Sequence, residues 1–156
     1  EKAIFAIQKS GITAHVDVIV GQGNPHKEKI RELCNQYENI TYHCQVSNIG
    51  DYMNAADISL GGGGTATWER CFLGLPTLVT SIAENQTASC IACGEAGYIW
   101  YLGTEREVHE ETIIQALQRV GAPDVLTSFQ RRCRLNISGE TGIQPLNALE
   151  RCFLAQ

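Results

Sequence analysis

A chain of 156 residues with 44% hydrophobic side chains is long enough to bury a core of ordinary size, which predicts a single domain over residues 1–156. Its formal net charge of −5 argues against a surface for nucleic acid or for an anionic membrane, because neither would attract an acidic chain. No apolar run approaches the ~18 residues of a membrane span, and no charged-then-apolar leader is found, so we expect a soluble, cytoplasmic protein.

The first ten residues carry a helical pattern that is already present at Glu1, and no methionine precedes it. A chain that starts inside a helix is typical of a piece of a larger protein. We therefore expect these residues to be one half of a two-domain molecule, with the missing amino-terminal domain of the same protein as a partner.

The predicted secondary structure alternates between strands and helices. The strand segments, which are short, apolar and bounded by glycine or polar turns, are residues 15–20, 40–44, 57–60, 76–80 and 98–102. The helical segments, which show helical spacing of apolar residues or lie between start and stop signals, are residues 1–10, 25–37, 49–56, 65–73, 87–96, 108–120, 125–135 and 145–154. This order predicts an α/β, Rossmann-like fold of three layers, in which helices cover both faces of a parallel sheet and the ligand binds at the carboxyl ends of the strands.

Four consecutive glycines, Gly61 to Gly64, join a predicted strand to a predicted helix. Without a Cβ, the backbone can turn tightly and bring its N–H groups close to a ligand. A helix start adds unpaired N–H donors and the positive end of the helix dipole, which favours an anion, most often a phosphate. A plain tight loop is the alternative, since no Walker lysine follows and G-x-G-x-x-G is not matched. Gly74, followed by Pro76, predicts the end of the helix.

Glu69 lies one turn into that helix. Its carboxylate can accept hydrogen bonds from the two hydroxyls of a ribose whose phosphates lie at the helix start. The alternative is a glutamate that the helix dipole alone favours at this position. We prefer the ribose interpretation because the glycine turn lies beside Glu69.

Three loops follow strands of the predicted sheet, at residues 45–49, 61–67 and 81–86. Because the carboxyl ends of parallel strands share one edge of a sheet, we expect these loops to meet in one crevice. In the third loop, Asn85 and Gln86 offer donors and acceptors without charge, which suits a neutral sugar. The alternative is that both side chains bond to nearby backbone.

The titratable side chains outside these loops give no clear catalytic group. His15, His26, His43 and His109 fall on predicted strands or at helix starts, which predicts structural or surface roles for all four. No Asp-x-Asp pair is present, so we expect no metal and no other cofactor.

Seven cysteines are scattered mostly through apolar helical or strand contexts, as expected of reduced thiols in a cytoplasm. Cys90 and Cys93 form a C-x-x-C pair. A zinc site would need a second ligand pair, and none has suitable spacing, while a thioredoxin-type pair normally opens a helix. The role of Cys90 and Cys93 stays open between these two functions and plain core thiols.

The run G-G-G-T-x-T-W-E-R-C-x-L-G-L-P-x-L-V at residues 62–79 is followed by A-E-N-Q at residues 83–86. These motifs resemble the carboxyl-terminal, nucleotide-binding domain of GT-B glycosyltransferase-like proteins. They are more similar still to the UDP-sugar hydrolase of pseudaminic acid biosynthesis and its spore-coat polysaccharide relatives. The resemblance is dense over residues 61–86 and looser over most of the chain. The family tail usually reads D-G-x-G-x-x-R, whereas Gln144 and Pro145 stand at its end here.

The resemblance implies that UDP or a UDP-sugar is the ligand. The residues that it assigns are Gly62, Gly63, Gly64 and Thr65 for the pyrophosphate, Glu69 for the ribose, Val46 to Ile49 for uracil, and Asn85 and Gln86 for the sugar. It also implies that a histidine in the amino-terminal domain activates the reaction, so no catalytic residue is expected in this chain.

The activity implied by the resemblance is that of a hydrolase, which releases UDP and a free deoxy amino sugar in pseudaminic acid or related surface-polysaccharide biosynthesis. The alternatives are the donor-binding domain of a GT-B glycosyltransferase and a nucleotide-binding domain without chemistry. Only the A-E-N-Q signature separates the hydrolase from the transferase, and it favours the hydrolase. Residues that recognise an acceptor would lie in the other domain.

Overall fold

The structure is a computed structural model that describes residues 1–138, with side chains described through residue 133. Strands and helices alternate along this part of the chain, as the sequence predicts. The strands are β1 (Val16–Val20), β2 (Ile40–Cys44), β3 (Ser59–Gly62), β4 (Thr77–Ser81) and β5 (Trp100–Thr104). The helices are α1 (Lys2–Lys9), α2 (Lys27–Cys34), α3 (Ile49–Ala55), α4 (Ala66–Phe72), α5 (Glu84–Glu95), α6 (Glu110–Val120) and α7 (Pro123–Ser138).

Every strand pairing among residues 1–138 is parallel. β1 pairs with β2 in a two-stranded sheet, while β3, β4 and β5 form a three-stranded sheet in that order. Within the second sheet, Gly61 lies opposite Val79 and Gly62 lies opposite Thr80. The predicted α/β, Rossmann-like fold class is confirmed, although the hydrogen-bonded strands are divided between two sheets.

β4 is the buried centre of the larger sheet and has helices on both of its faces. Leu78 and Val79 are completely buried, and as neighbours on a strand they point to opposite faces. Leu78 packs in a cluster with residues of α1, α6 and α7. Val79 packs in a second cluster with residues of α4 and α5. This arrangement gives the three layers that the sequence predicts.

A smaller core covers one face of the β1–β2 sheet. α1 connects it to the larger core, which is the cluster that contains Leu78. Ile4 packs with residues of α2 and β2 in the smaller core. Ala6, two residues further along α1, packs in the cluster that contains Leu78. Lys2 Nζ also donates to the carbonyl O of Val108, just before α6, at 2.6 Å. α1 therefore contacts both parts of the structure.

α4 ends where the sequence predicts. Gly74 has a φ of 66°, and its N–H donates to the carbonyl O of Cys71 at 3.0 Å. The N–H of Leu75 donates to the carbonyl O of Arg70, also at 3.0 Å. Together these bonds form the Schellman motif, which a glycine in the left-handed conformation closes.

Two predicted boundaries beside the glycine run are wrong. β3 covers Ser59–Gly62 and not residues 57–60, because the first two glycines pair with β4. α5 begins at Glu84 and not at residue 87, so the predicted loop 81–86 contains the end of β4 and the first turn of α5. The sequence misleads here because acidic and amide side chains suit the first turn of a helix as well as a loop.

β5 starts at Trp100 and not at residue 98. Gly97 has a φ of 78°, and the N–H of Tyr98 donates to the carbonyl O of Cys93 at 3.0 Å, so these residues close α5 before the strand begins. The other helices lie within a few residues of their predicted bounds. The predicted helix at residues 145–154 and the tail that holds Gln144 and Pro145 lie outside the described residues.

The longest of the described helices, α7, has 16 residues. A membrane span needs ~20. Within residues 1–138, no helix combines the length and the apolar character that crossing a bilayer requires.

Candidate functional site

The glycine turn lies at the carboxyl end of β3, beside the end of β4. The N–H of Gly63 donates to the carbonyl O of Thr80 at 3.0 Å, which continues the ladder one residue beyond β3. α4 follows at once with Thr65 as its N-cap, and Thr65 is exposed and forms no side-chain capping bond. The turn and the helix start therefore lie at the edge where parallel α/β folds bind their ligands.

Close packing, and not a left-handed backbone, explains the glycine run. None of Gly61 to Gly64 has a positive φ, so the turn does not require the left-handed conformation at these positions. A Cβ at Gly61 would overlap Nη1 of Arg70, and a Cβ at Gly63 would overlap Sγ of Cys90. These two glycines admit side chains that lie beneath the turn.

Gln86 lies against the glycine turn although it follows a different strand. Its Oε1 accepts a hydrogen bond from the N–H of Ile82 at 3.0 Å. A Cβ at Gly63 would lie 3.4 Å from this Oε1, and a Cβ at Gly64 would lie 3.7 Å from Nε2 of the same side chain. Asn85, the preceding residue, is exposed. The structure therefore brings the second and third predicted loops together, with Asn85 and Gln86 on a helix.

Glu69 is exposed in the first turn of α4. Its carboxylate is open to solvent on the helix that the glycine turn introduces. This position is compatible with a ribose contact and also with a surface glutamate that the helix dipole favours. The role of Glu69 therefore stays a prediction.

The first predicted loop, residues 45–49, is connected to the smaller sheet. Gln45 has a φ of 56° and is the one non-glycine residue with a positive φ in the described part of the chain. Its N–H donates to the last carbonyl of β1 at 3.0 Å, and its Oε1 accepts from the N–H of Gln22 at 3.1 Å. Val46 is partly buried and Ile49 is exposed. These bonds connect Gln45 with the end of β1 and the loop that follows it. Contact of Val46 and Ile49 with the glycine turn stays a prediction.

Arg70 is a candidate site residue that the sequence pattern does not predict. Its side chain is buried, with 6% exposure, and Nη2 donates to the carbonyl O of Gly62 at 2.9 Å and to Oγ1 of Thr67 at 3.0 Å. The buried Nε has no hydrogen-bond partner among the described residues. Burial lowers the pKa of Arg70 below its ordinary value. Arginines on helices usually face solvent, so the glycine at position 61 is the only hint of this placement in the sequence.

Cys90 and Cys93 are buried cysteines on α5 that pack in the cluster around Val79. Burial raises the pKa of the Cys90 thiol, and the nearby charge of Arg70 opposes that rise. No group of three or more His, Cys, Asp or Glu side chains that could hold a metal ion occurs within the part of the chain that the structure describes. Of the alternatives left open for Cys90 and Cys93, these contacts favour core thiols.

His43 connects β2 with β1 and α3. Its Nε2 lies 2.7 Å from Oδ1 of Asp17, and its Nδ1 lies 3.3 Å from the hydroxyl O of Tyr52. Nε2 of His15 lies 3.5 Å from the same carboxylate oxygen. The contacts fit the structural role predicted for His43.

A cavity of about 420 Å³ lies between α5, β5 and α7. Its walls are mainly apolar or aromatic and include Ile91, Trp100 and Phe129, with Arg132 at one side. None of the predicted site residues lines it. The cavity is therefore a feature separate from the glycine turn.

No protein-family model matches the chain. The spore coat polysaccharide biosynthesis protein SpsG of Bacillus subtilis (strain 168) is 27% identical to the chain over 121 residues, which make up 78% of this chain and 34% of that protein. The chain thus spans about a third of the length of this relative. The similarity supports a relation to polysaccharide biosynthesis proteins.

Proposed function

We propose that this chain binds the UDP part of a UDP-linked deoxy amino sugar in an enzyme of surface-polysaccharide biosynthesis. The observation that carries this proposal is the glycine turn at the carboxyl ends of two adjacent parallel strands, with Gln86 of a neighbouring helix packed against it. The similarity to a polysaccharide biosynthesis protein supports it independently.

The ligand would lie across the turn with its charged part at the helix start. Main-chain N–H groups and the positive end of a helix dipole stabilise phosphate, which suits the pyrophosphate. The proposed contacts are Gly62, Gly63, Gly64 and Thr65 to the pyrophosphate, Glu69 to the ribose, Val46 and Ile49 to uracil, and Asn85 and Gln86 to the sugar. The proposed arrangement uses no metal ion, because main-chain dipoles stabilise the diphosphate charge.

The proposed reaction is hydrolysis. Water would add its oxygen to the anomeric carbon as the bond from that carbon to the diphosphate oxygen breaks, so that UDP and the free sugar leave. We assign the activation of water to a histidine of an amino-terminal domain. The described part of this chain would contribute binding, orientation and stabilisation of the leaving diphosphate.

Calorimetry with UDP tests the nucleotide assignment directly. We predict that Glu69→Ala weakens UDP binding by roughly 1.5–3 kcal/mol, because it removes hydrogen bonds between a carboxylate and the ribose hydroxyls. UMP should bind more weakly than UDP to the parent protein, since it lacks the second phosphate.

Glu32→Ala is a suitable control, because Glu32 is an exposed glutamate on α2. This variant should bind UDP like the parent. UDP binding by Glu69→Ala with the parental affinity would contradict the ribose assignment, and no measurable UDP binding by the parent would contradict the proposed function.

A further inference from the structure

Arg70 places a positive charge directly beneath the glycine turn. Its Nη2 donates to the carbonyl O of Gly62, and its Nη1 fills the space where Gly61 lacks a Cβ. The residue is 6% exposed, so its charge is largely removed from water. The backbone of the turn thus lies between this cation and the surface on which the phosphates would bind.

The described part of the chain offers little negative charge to balance this cation. None of the ion pairs among residues 1–133 includes Arg70. Its hydrogen-bond acceptors are a carbonyl and a hydroxyl, and its Nε has no partner among the described residues. Cys90 packs beneath the same turn, and burial raises the pKa of its thiol, which favours the neutral form. Cys71 and Glu69 also act on Arg70 through space, but Cys71 is a buried thiol and Glu69 is exposed to solvent.

A buried guanidinium without a counter-ion is unfavourable, because burial removes its hydration. The lowered pKa of Arg70 has burial as its main cause and agrees with this view. An anion that binds over the turn would restore the balance. Charges separated by protein backbone interact more strongly than the same charges in water.

We propose that Arg70 is the buried counter-charge of the ligand's phosphates. It acts as a positioning residue: it holds the carbonyl of Gly62 by a hydrogen bond and attracts the phosphates electrostatically, without touching the ligand. The inference rests on the proposed function, since it takes the glycine turn as the phosphate site. It adds a specificity: each further negative charge on the ligand should gain affinity from Arg70.

A purely structural role is the rival explanation. The hydrogen bonds from Arg70 to Gly62 and Thr67 also tie the end of β3 to α4. Loss of these bonds would disturb the turn for every ligand, charged or neutral. A counter-charge instead acts in proportion to ligand charge, so the two roles differ in a measurable way.

The test compares Arg70→Lys, which keeps the charge, with Arg70→Met, which removes it at similar length. Calorimetry at low ionic strength measures the affinity of each variant for uridine, UMP, UDP and inorganic pyrophosphate. Arg31→Met is the matched control, because Arg31 is exposed on α2 and pairs with Glu28. Thermal unfolding without ligand first establishes that each variant is folded; if Arg70→Met is not, Arg70→Gln takes its place.

We expect Arg70→Met to lose about tenfold in affinity for UDP and for pyrophosphate, and less than about twofold for uridine. Arg70→Lys should keep most of the parental affinity for both anions, and Arg31→Met should match the parent throughout. Equal losses for uridine and UDP, or equal losses in the lysine and methionine variants, would overturn the counter-charge role. A parent that binds pyrophosphate without preferring UDP would contradict the uridine assignment alone, and one that binds neither anion would overturn both proposals.

Discussion

At the scale of single residues, the glycines of the turn have different surroundings. Gly61 and Gly63 face buried side chains, whose atoms a Cβ would overlap. A Cβ at Gly64 would instead make an ordinary contact, 3.7 Å from Nε2 of Gln86. The glycines of this turn therefore differ in what a side chain in their place would contact, and this difference can be measured.

We predict that Gly63→Ala destabilises the fold by about 1–3 kcal/mol, because overpacking forces Cys90 to move. Gly64→Ala should cost less, and the double variant Gly63→Ala with Cys90→Ala should recover part of the loss, since it removes the overlapping sulfur. Urea unfolding of the three variants measures these differences. Equal destabilisation by the two single glycine substitutions would contradict the packing explanation.

At the scale of elements, α4 and α5 both begin at the carboxyl edge of the three-stranded sheet. α4 follows β3 through the glycine turn, and α5 follows β4 with Ala83 as its N-cap. Gln86 joins the two helix starts, because its side chain packs on the turn while its Oε1 accepts from the N–H of Ile82. Asn85 is exposed in the same first turn. The two amide side chains that the sequence groups together therefore have different surroundings.

This difference leads to separate predictions for the two amides. Asn85→Ala should weaken UDP-sugar binding by about 0.5–1.5 kcal/mol, the value of a hydrogen bond, and leave UDP binding nearly unchanged. Gln86→Ala should weaken both ligands, because its side chain also supports the glycine turn. Paired titrations with UDP and the UDP-sugar check both statements. A loss of UDP affinity in Asn85→Ala as large as the loss for the UDP-sugar would remove the sugar role of Asn85.

At the scale of the whole molecule, one helix connects two cores. Ile4 and Ala6, two residues apart on α1, belong to the smaller and the larger core respectively. The residues proposed to bind pyrophosphate, ribose and sugar belong to the three-stranded sheet and to the helices that follow its strands, whereas Val46 and Ile49 follow β2 in the smaller sheet. Uracil recognition in our proposal therefore depends on how α1 and the neighbouring helices hold the two sheets together.

We predict that these 156 residues are catalytically silent alone. Glu84 is an exposed carboxylate in the first turn of α5, and without an opposing wall water weakens every dipole directed at the leaving diphosphate. Incubation with the UDP-sugar, followed by measurement of UDP release, should show no turnover until the amino-terminal domain that we propose is supplied in trans. Turnover by the chain alone that is abolished by Glu84→Gln would move the catalytic group into this chain.

The sequence by itself determined the order of strands and helices, the position of the glycine turn and the end of α4 at Gly74. These features depend on local signals, such as the spacing of apolar residues and a glycine that can adopt a positive φ, and such signals act between residues close together in the chain. Helix starts are less well defined, because polar residues such as Glu84 and Asn85 suit a loop as well as a first turn.

Only the tertiary structure decided what lies beneath and beside the turn. The burial of Arg70 under Gly61, the contact of Cys90 with Gly63 and the division of the strands into two sheets depend on elements that meet only after folding. A helical arginine is normally solvated, and the pattern of α4 itself does not mark one that is buried. Packing against β3 overrides that preference here, and it places a desolvated charge next to the surface on which we propose the ligand to bind.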